Sequence, residues 1–232
     1  MTMKKIAAFE TNRHKEIDER FFQLTIANVG RTLYWEKFFK MTKDVPGDIV
    51  ECGVGGGRSL LLITALNHIL DKDEGGQRTI YGYDSFEGFP EPTAEDQSFR
   101  KPKKGEWARS PSGKYRYTPA FIKTVLTLAG IPETALPVLT DGFFDKVLPD
   151  HPKRPIAILH VDGDLYSSYT ACLANLFELV SPKGVIVFDD FFEGSEGNDR
   201  FPGARAAVKE FLKDNARKLR VSVAGSYYYV KE

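Results

Sequence analysis

Four short apolar segments constrain the fold of this 232-residue chain more than any other feature. Each contains Ile, Val and aromatic residues without a regular polar alternation. Each has Gly, Asp or Ser at or next to its last position. They span residues 48–54, 79–85, 156–163 and 184–191. This continuous apolar character is typical of strands that are buried on both faces, as in a parallel sheet covered by helices.

Helical periodicity characterises the segments between these strands, at 58–71, 118–130 and 166–180. A weaker strand is predicted at 135–140, and strands that alternate with helices of this length predict an α/β fold. Residues 10–40 are also predicted to be helical, another helix follows Pro202, and the C-terminal residues resemble a β-hairpin. We expect one domain over residues 1–232, with 1–45 as a helical N-terminal extension.

Composition excludes several classes of protein. The chain has 32 basic and 32 acidic residues, which argues against a nucleic-acid-binding protein. Its two cysteines, Cys52 and Cys172, are too few for a disulfide scaffold, and no apolar run is long enough for a signal peptide or a membrane-spanning helix. We therefore expect a cytoplasmic protein. We also expect a homo-oligomer, since most soluble oligomers are built from identical chains, with an interface that uses N-terminal aromatic residues: Phe21, Phe22, Trp35, Phe38 and Phe39.

The segment 90–117 fits no regular element, since it contains four prolines and much charge. It follows the carboxyl end of a strand, where open α/β sheets bind ligands. A connection this long is usually functional, which predicts a lid over the substrate. Its second half is basic and would favour an anionic group: Arg100, Lys101, Lys103, Lys104, Arg109, Lys114 and Arg116. The alternative is a solvated excursion without a role.

A glycine-rich turn follows the first strong strand, in the sequence ECGVGGGRS from Glu51 to Ser59. Such a turn lets the backbone approach a ligand closely. A dinucleotide site needs G-x-G-x-x-G, and its third glycine would fall on Arg58, which disfavours a nucleotide-binding dehydrogenase. The pattern E-x-G-x-G-x-G, from Glu51 to Gly57, instead resembles motif I of the class I S-adenosylmethionine (SAM)-dependent methyltransferases.

Asp84 ends the second strong strand, in the sequence YGYDSFEG. A carboxylate there can accept two hydrogen bonds from a vicinal diol. In the methyltransferases that share motif I, an acidic residue at the corresponding place binds the ribose hydroxyls. The alternative reading of Asp84 is a helix cap.

Four aspartates follow the last two strong strands: Asp162 and Asp164, then Asp189 and Asp190. Parallel strands joined by one crossover usually lie side by side, so these carboxylates are expected at one edge of the sheet. Like charges held close together need protonation or a bound cation. A set of oxygen ligands without His or Cys suits Mg²⁺ or Ca²⁺. Separate, solvated helix caps are the alternative.

Several longer phrases together resemble the macrocin O-methyltransferase family, whose members methylate sugar hydroxyls on macrolide and aminocoumarin antibiotics. These phrases are DSFEGFP (84–90), HVDGDLYSS (160–168), FDDF (188–191) and FPGARAAVKEF (201–211). The resemblance implies a Rossmann-like methyltransferase fold, with a mostly parallel seven-stranded sheet and a C-terminal hairpin. It covers the chain from about residue 48 to the C-terminus.

The resemblance also implies roles for single residues. Asp162, Asp189 and Asp190 match the magnesium ligands, and Asp164 matches the general base. Asp141 and Gly142, in the sequence TDGFFDKVLP, lie in the segment near the adenine. The implied SAM contacts are Glu51, Gly53, Gly55, Gly57, Arg58, Ser59, Asp84, Ser85, Asp141, Gly142 and Asp162.

The resulting prediction is a SAM-dependent, Mg²⁺-assisted O-methyltransferase that acts on a sugar or small-molecule glycoside, without a nucleic-acid or membrane partner. A catechol-type O-methyltransferase acting on a small diphenol is the nearest alternative. A binding module without catalysis on the same fold is the other, since fold alone does not fix function.

Overall fold

The computed structural model describes residues 25–74, 78–193 and 199–232. The first part of the predicted 10–40 helix, with Phe21 and Phe22, therefore lies outside the described residues. The rest of that prediction is confirmed by a helix over Ile26–Met41.

One sheet contains the seven strands of the described residues, in the order β3-β2-β1-β4-β5-β7-β6. The strands are β1 Asp48–Cys52, β2 Ile80–Asp84, β3 Val138–Asp141, β4 Ile156–Val161, β5 Val180–Phe188, β6 Arg220–Val221 and β7 Tyr227–Val230. Strands β1 to β5 pair in parallel, whereas β7 is antiparallel to both β5 and β6. The α/β fold and the C-terminal hairpin are thus confirmed.

Helices and connecting turns cover this sheet. They are α1 Ile26–Met41, α2 Arg58–Glu74, α3 Pro119–Leu128, α4 Phe144–Val147, α5 Tyr166–Leu176 and α6 Pro202–Leu212. The helix predicted over 166–180 ends earlier, at Leu176, because Val180 already pairs with Ile156 at the start of β5. A strand partner for Val180 is a tertiary contact that helical periodicity does not reveal.

Two hydrophobic clusters lie on the two faces of the sheet. One contains Tyr169 of α5 with Phe188 of β5, and the other contains Phe38 of α1 with Ile63 of α2. Every residue of β4 is buried, as expected for a central parallel strand. Among the described residues, no helix combines the length and the apolar character needed to cross a bilayer.

The aromatic face of α1 belongs to this core. Trp35, Phe38 and Phe39 are all buried, and the Phe38 ring lies 5.1 Å from that of Tyr228 in β7. The prediction that these three rings form a subunit interface is therefore wrong. They are needed to cover the chain's own sheet, and the homo-oligomer itself stays a prediction.

The long segment 90–117 packs against the loop after β2. Phe89 N–H donates to Glu106 O (3.0 Å), and Gly105 N–H donates to Phe89 O (2.9 Å). Gly88 makes this contact sterically feasible, because a Cβ there would lie 2.2 Å from Glu106 O. The segment is thereby held beside the carboxyl ends of β1, β2 and β4.

Phe38→Ala should destabilise the protein by about 3–5 kcal/mol, because it removes a fully buried ring and leaves a cavity. Leu33→Ala is the matched control on the same helix, since Leu33 is 58% exposed, and it should change the stability by less than about 0.5 kcal/mol. Urea unfolding measures both. Equal effects would mean that α1 does not pack as described.

Candidate active site

A cavity of about 410 Å³ opens at the carboxyl edge of the parallel strands. Its walls come from the glycine turn after β1, the loop after β2, the segment 90–117, the start of α4 and the turn between β4 and α5. This is the edge at which open α/β sheets bind ligands, which makes the cavity the candidate functional site.

The glycine turn adopts a backbone conformation that leaves no room for a side chain at two of its positions. Gly53 has φ +102°, and a Cβ there would lie 1.7 Å from the carbonyl oxygen of Asp162. At Gly57 a Cβ would lie 2.9 Å from Ile122 Cδ1. Gly55 differs, because its φ is +49° but nothing lies within 4 Å of its Cβ position. Gly53 and Gly57 therefore allow close packing, while Gly55 leaves open space at the cavity wall.

Asp84 connects the ends of β1 and β2. Its Oδ2 accepts a hydrogen bond from Gly55 N–H (2.7 Å), and its Oδ1 accepts one from Phe86 N–H (2.6 Å). Burial raises the pKa of Asp84, although these two hydrogen bonds act in the opposite direction. Each oxygen keeps a further lone pair, so the carboxylate can still accept two hydrogen bonds from a ligand.

Glu51 lies beneath the cavity and is not part of its wall. It pairs in register with His160 of β4, and His160 Nδ1 lies 2.9 Å from Glu51 Oε1. Both side chains are buried. Burial alone would lower the pKa of His160, but Asp189 and Glu51 raise it well above its usual value. The structure therefore places Glu51 as the hydrogen-bonding partner of the buried His160.

Three carboxylates converge where β4 and β5 end. Ligand oxygens of Asp162, Asp164 and Asp190 all lie within 4.8 Å of one another. Asp164 has φ +59°, and its N–H donates to Asp190 Oδ2 (2.9 Å). Tyr169 O–H donates to the same oxygen (3.1 Å). The backbone thus holds Asp164 and Asp190 together in spite of their like charges.

Proximity and burial change the acidity of this cluster. Burial, followed by the neighbouring carboxylates, raises the pKa of Asp162 and of Asp164 well above the usual range. The same causes raise the pKa of Asp190 to about 7. Among the described residues, no Lys or Arg forms an ion pair with these three carboxylates. Oxygen ligands that lack a protein cation fit a hard ion such as Mg²⁺.

Asp189, the remaining predicted ligand, is placed differently. Its side chain is 46% exposed, and its Oδ1 lies 4.0 Å from His160 Nε2, toward α1. Burial opposes ionisation of Asp189, but His160 holds its pKa below the usual range. The converging group is therefore Asp162, Asp164 and Asp190, and it contains the predicted base in place of Asp189.

Most of the predicted SAM contacts do line the cavity. These are Gly53, Gly55, Arg58, Ser59, Asp84, Ser85 and Asp162, together with the predicted base Asp164. Asp141 and Gly142 do not, because the backbone turns there and Gly142 N–H donates to Asp84 O (2.9 Å). The next residues, Phe143, Phe144 and Asp145, occupy the wall instead.

Sequence reasoning missed the aromatic part of this wall, formed by Phe86, Phe89, Trp107 and Tyr117. Phe86 and Phe89 belong to the family-like sequence DSFEGFP. A sequence motif does not show whether an aromatic side chain lines a cavity or packs in the core. Trp107 has φ +67° and is 47% exposed, in a segment without periodicity. Its position depends on the contact between Phe89 and Glu106, which no local signal indicates.

Comparison with known proteins gives a consistent result. The sequence profile of the Macrocin-O-methyltransferase (TylF) family matches residues 36–223. A tetracenomycin-C 4'-O-methyltransferase from Streptomyces olivaceus, whose full name specifies a 2,3-dimethoxy-α-L-rhamnosyl group, is 31% identical over 147 residues, which cover 63% of this chain and 54% of that protein. Mycinamicin III 3''-O-methyltransferase from Micromonospora griseorubida is 28% identical, over 72% and 61%. The chain thus spans less than two thirds of the length of these relatives.

Solved structures agree with the fold. The calicheamicin methyltransferase CalS11 superimposes with a TM-score of 0.73 at 25% identity, covering 89% of this chain and 80% of that one. The O-methyltransferase NovP superimposes with a TM-score of 0.65 at 25% identity, covering 85% and 78%. The Rossmann-like methyltransferase fold is therefore confirmed.

The carboxylate cluster makes the stability of the metal-free protein depend on pH. Asp190 has a pKa of about 7 in the folded protein and about 3.9 when unfolded, so the folded state binds more protons. Its contribution is fully present below pH 4 and is lost as the pH rises through 7. Asp162, Asp164 and His160 shift in the same direction.

We therefore expect the melting temperature to fall between pH 5 and pH 8, and Mg²⁺ to restore part of it at pH 8. Asp190→Asn should flatten the profile and weaken the Mg²⁺ effect. Scanning calorimetry with and without a chelator measures this, with Asp150→Asn at an exposed site as the control. A melting temperature that rises toward pH 8 would contradict the description of the cluster.

Proposed function

Because the chain belongs to the Macrocin-O-methyltransferase (TylF) family, we propose that it transfers the methyl group of SAM to a sugar hydroxyl of a glycosylated small molecule or saccharide. The observation that carries this proposal is one cavity with two chemically distinct ends. The open glycine position and Asp84 form one end, and Asp162 with Asp164 form the other. A methyl donor and an acceptor hydroxyl need such adjacent sites.

The cofactor end would bind SAM through groups already positioned. The two remaining lone pairs of Asp84 suit the ribose hydroxyls, and the space beside Gly55 admits the ligand close to the backbone. Phe86, Phe143 and Phe144 give an apolar wall suited to the adenine ring. Glu51 acts indirectly, because it holds His160 and the ends of β1 and β4 in place.

The carboxylate end would hold Mg²⁺, with Asp162 and Asp190 as the ligands that the geometry supports best. The geometry supports the proposed ligand Asp189 less, since its carboxylate lies toward His160. A bound Mg²⁺ would offset the repulsion within the cluster and lower the pKa of a nearby hydroxyl. In the chain itself, Asp164 would accept the acceptor's proton, because its backbone N–H is held by Asp190 and its side chain belongs to the cavity wall.

These residues account for two separate contributions to the rate. Holding the acceptor oxygen in line with the methyl group is worth up to about 7–11 kcal/mol of the barrier. Proton transfer to a positioned carboxylate contributes roughly 10²–10⁴-fold.

The segment 90–117 would form the acceptor side of the cavity. It supplies Glu106, Trp107 and Tyr117 to the wall, next to the wall residues of the loop after β2. The predicted lid is thus proposed as a fixed wall that selects the acceptor, since Phe89 and Glu106 join it to the loop after β2.

Gly55→Ala should fold, because its Cβ enters open space, yet bind S-adenosylhomocysteine at least about tenfold more weakly, because that Cβ occupies the cavity wall. The left-handed φ adds about 1–2 kcal/mol of destabilisation. Gly53→Ala is the contrast, since its Cβ would overlap Asp162 O, and it should not fold. Calorimetric titration and circular dichroism measure both. Unchanged affinity in Gly55→Ala would remove the proposed cofactor position.

Asp164→Asn should keep its affinity for S-adenosylhomocysteine and lose about 10²–10⁴-fold in turnover, because the amide cannot take the proton. Methyl transfer to a panel of glycosides, with and without Mg²⁺, gives the readout, and a catechol tests the diphenol alternative. Asp150→Asn is the control at an exposed aspartate. An active Asp164→Asn variant would remove the assignment of the base, and methylation of catechol alone would replace the sugar acceptor.

A further inference from the structure

Three residues with a left-handed backbone lie in the cavity wall. Among the described residues, six that are not glycine have a positive φ, and three of these line the cavity: Phe86, Trp107 and Asp164. A bulky side chain rarely adopts this conformation. It persists where the surrounding structure holds it, and such residues cluster at ligand sites. The proposed function uses Asp164 and Phe86, and it leaves Trp107 without a role of its own.

Arg100 supports the Trp107 indole from outside the cavity. Its guanidinium lies 4.5 Å from the centre of the Trp107 ring and 5.3 Å from that of Phe201. Neither Arg100 nor Phe201 lines the cavity. A cation over the face of an indole is attracted by the partial negative charge of that face. This side of the ring is therefore already occupied by the chain itself.

Glu106 fixes Arg100 in turn. Its Oε2 accepts a hydrogen bond from Arg100 Nη1 (2.7 Å) and another from Lys103 N–H (3.2 Å). The Arg100 side chain is only 14% exposed. The Phe89 ring lies 5.0 Å from that of Trp107, and Phe89 N–H donates to Glu106 O (3.0 Å). These contacts hold the indole in one position before any acceptor binds.

The rest of the indole is open to the cavity. Trp107 is 47% exposed although it packs against an arginine and two phenylalanines, and it belongs to the cavity wall. Trp35, the chain's other tryptophan, is only 2% exposed. A large aromatic surface that is already fixed at a cavity wall loses little freedom when a ligand binds to it.

An aromatic face beside a carboxylate matches the chemistry of a sugar ring. The face of an aromatic ring carries partial negative charge, which attracts the C–H groups on the apolar side of a pyranose. Glu106 lines the cavity next to Trp107, and both of its hydrogen bonds use Oε2. Its Oε1 has two lone pairs that can accept hydrogen bonds from hydroxyl groups. An aglycone without hydroxyl groups would match only the aromatic half of this pair.

We propose that Trp107 is a specificity-determining residue whose indole stacks on the sugar ring of the acceptor, and that Arg100 is the positioning residue that fixes this indole. The inference rests on the proposed function, because it concerns the acceptor of the same cavity. Binding through the apolar face leaves the hydroxyl groups of the ring free for Asp164, which lines the same cavity.

Substitution of Trp107 tests whether acceptor binding depends on the aromatic ring. With the glycoside that the parent chain methylates fastest, Trp107→Leu should raise KM about tenfold and leave kcat nearly unchanged, since stacking holds substrate and transition state alike. Trp107→Tyr keeps a ring and should restore most of the loss. The matched control is Phe99→Leu, at a 61% exposed aromatic residue of the same segment that does not line the cavity, and it should change neither constant.

The aglycone is the other part of a glycoside that could contact the indole. A methyl glycoside and a phenyl glycoside of the same sugar separate the two cases. The increase in KM caused by Trp107→Leu should be equal for both. An increase confined to the phenyl glycoside would overturn the assignment to the sugar ring, and an unchanged KM for both would overturn any role of Trp107 in acceptor binding.

Tryptophan fluorescence gives a readout that does not depend on turnover. Acrylamide quenches an indole by collision, so it should quench the exposed Trp107 and hardly reach the buried Trp35. Adding the methyl glycoside to the parent chain with S-adenosylhomocysteine and Mg²⁺ should lower the quenching constant, because the sugar covers Trp107. The glycoside should have no such effect on Trp107→Leu. Absence of protection in the parent chain would overturn the stacking, whether or not Trp107→Leu folds.

Arg100→Met tests the positioning role, because it keeps the length of the side chain and removes the cation. Without Arg100 the indole should be less fixed, so acrylamide should quench Trp107 more strongly in the free protein. KM should rise while kcat is kept. Arg217→Met, at an exposed arginine outside the cavity wall, is the control and should show neither change. Unchanged quenching and KM in Arg100→Met would remove Arg100 from the proposal.

The outcomes also separate this inference from the function on which it rests. Methylation of no glycoside by protein that binds S-adenosylhomocysteine would overturn the proposed function and the stacking with it. Methylation of glycosides with the same KM by the parent chain and by Trp107→Leu would overturn the stacking alone. Thermal unfolding and S-adenosylhomocysteine titration of each variant show that a change in KM does not come from a loss of structure.

Discussion

The close approach of Gly53 to the carbonyl oxygen of Asp162 is the contact on which the site depends. A hydrogen atom is the largest group that fits there, since a Cβ would lie 1.7 Å from that oxygen. The contact lets the turn after β1 lie directly beside the turn after β4, and Asp162 N–H donates to Cys52 O (2.8 Å) next to it. The glycine turn and the carboxylates therefore share one cavity, where a wider separation of β1 and β4 would leave two unrelated turns.

The ionisable groups of the site shift one another's pKa values. The cluster of Asp162, Asp164 and Asp190 resists ionisation, because burial and mutual repulsion raise each pKa. His160 is buried between Glu51 and Asp189, and these two carboxylates raise its pKa. Such an arrangement costs stability at neutral pH without a cation, and the proposed Mg²⁺ would offset that cost.

Particular residues show how far sequence reasoning reached. The strand ends at Asp84 and Asp162 were predicted correctly, because apolar runs and the glycine pattern are local signals. Asp189 and Asp190 were both predicted as magnesium ligands. Adjacent residues at a strand end point in different directions, however, and the Asp189 carboxylate lies toward His160. Asp141 and Gly142 were predicted to contact the adenine; that contact stays a prediction, and Phe143 and Phe144 line the cavity at this place instead. An offset of one or two residues in a loop is beyond what spacing can decide.

By itself, the sequence determined the α/β class, the edge of the sheet at which the site lies, and the oxygen-rich chemistry of that site. These properties follow from periodicity, composition and strand ends, which are encoded over a few neighbouring residues. The tertiary structure alone decided which three carboxylates converge, that α1 covers the sheet with Trp35 and Phe38, and that Trp107 lines the cavity. These depend on contacts between residues far apart in the chain, and such contacts are fixed by packing and not by local pattern.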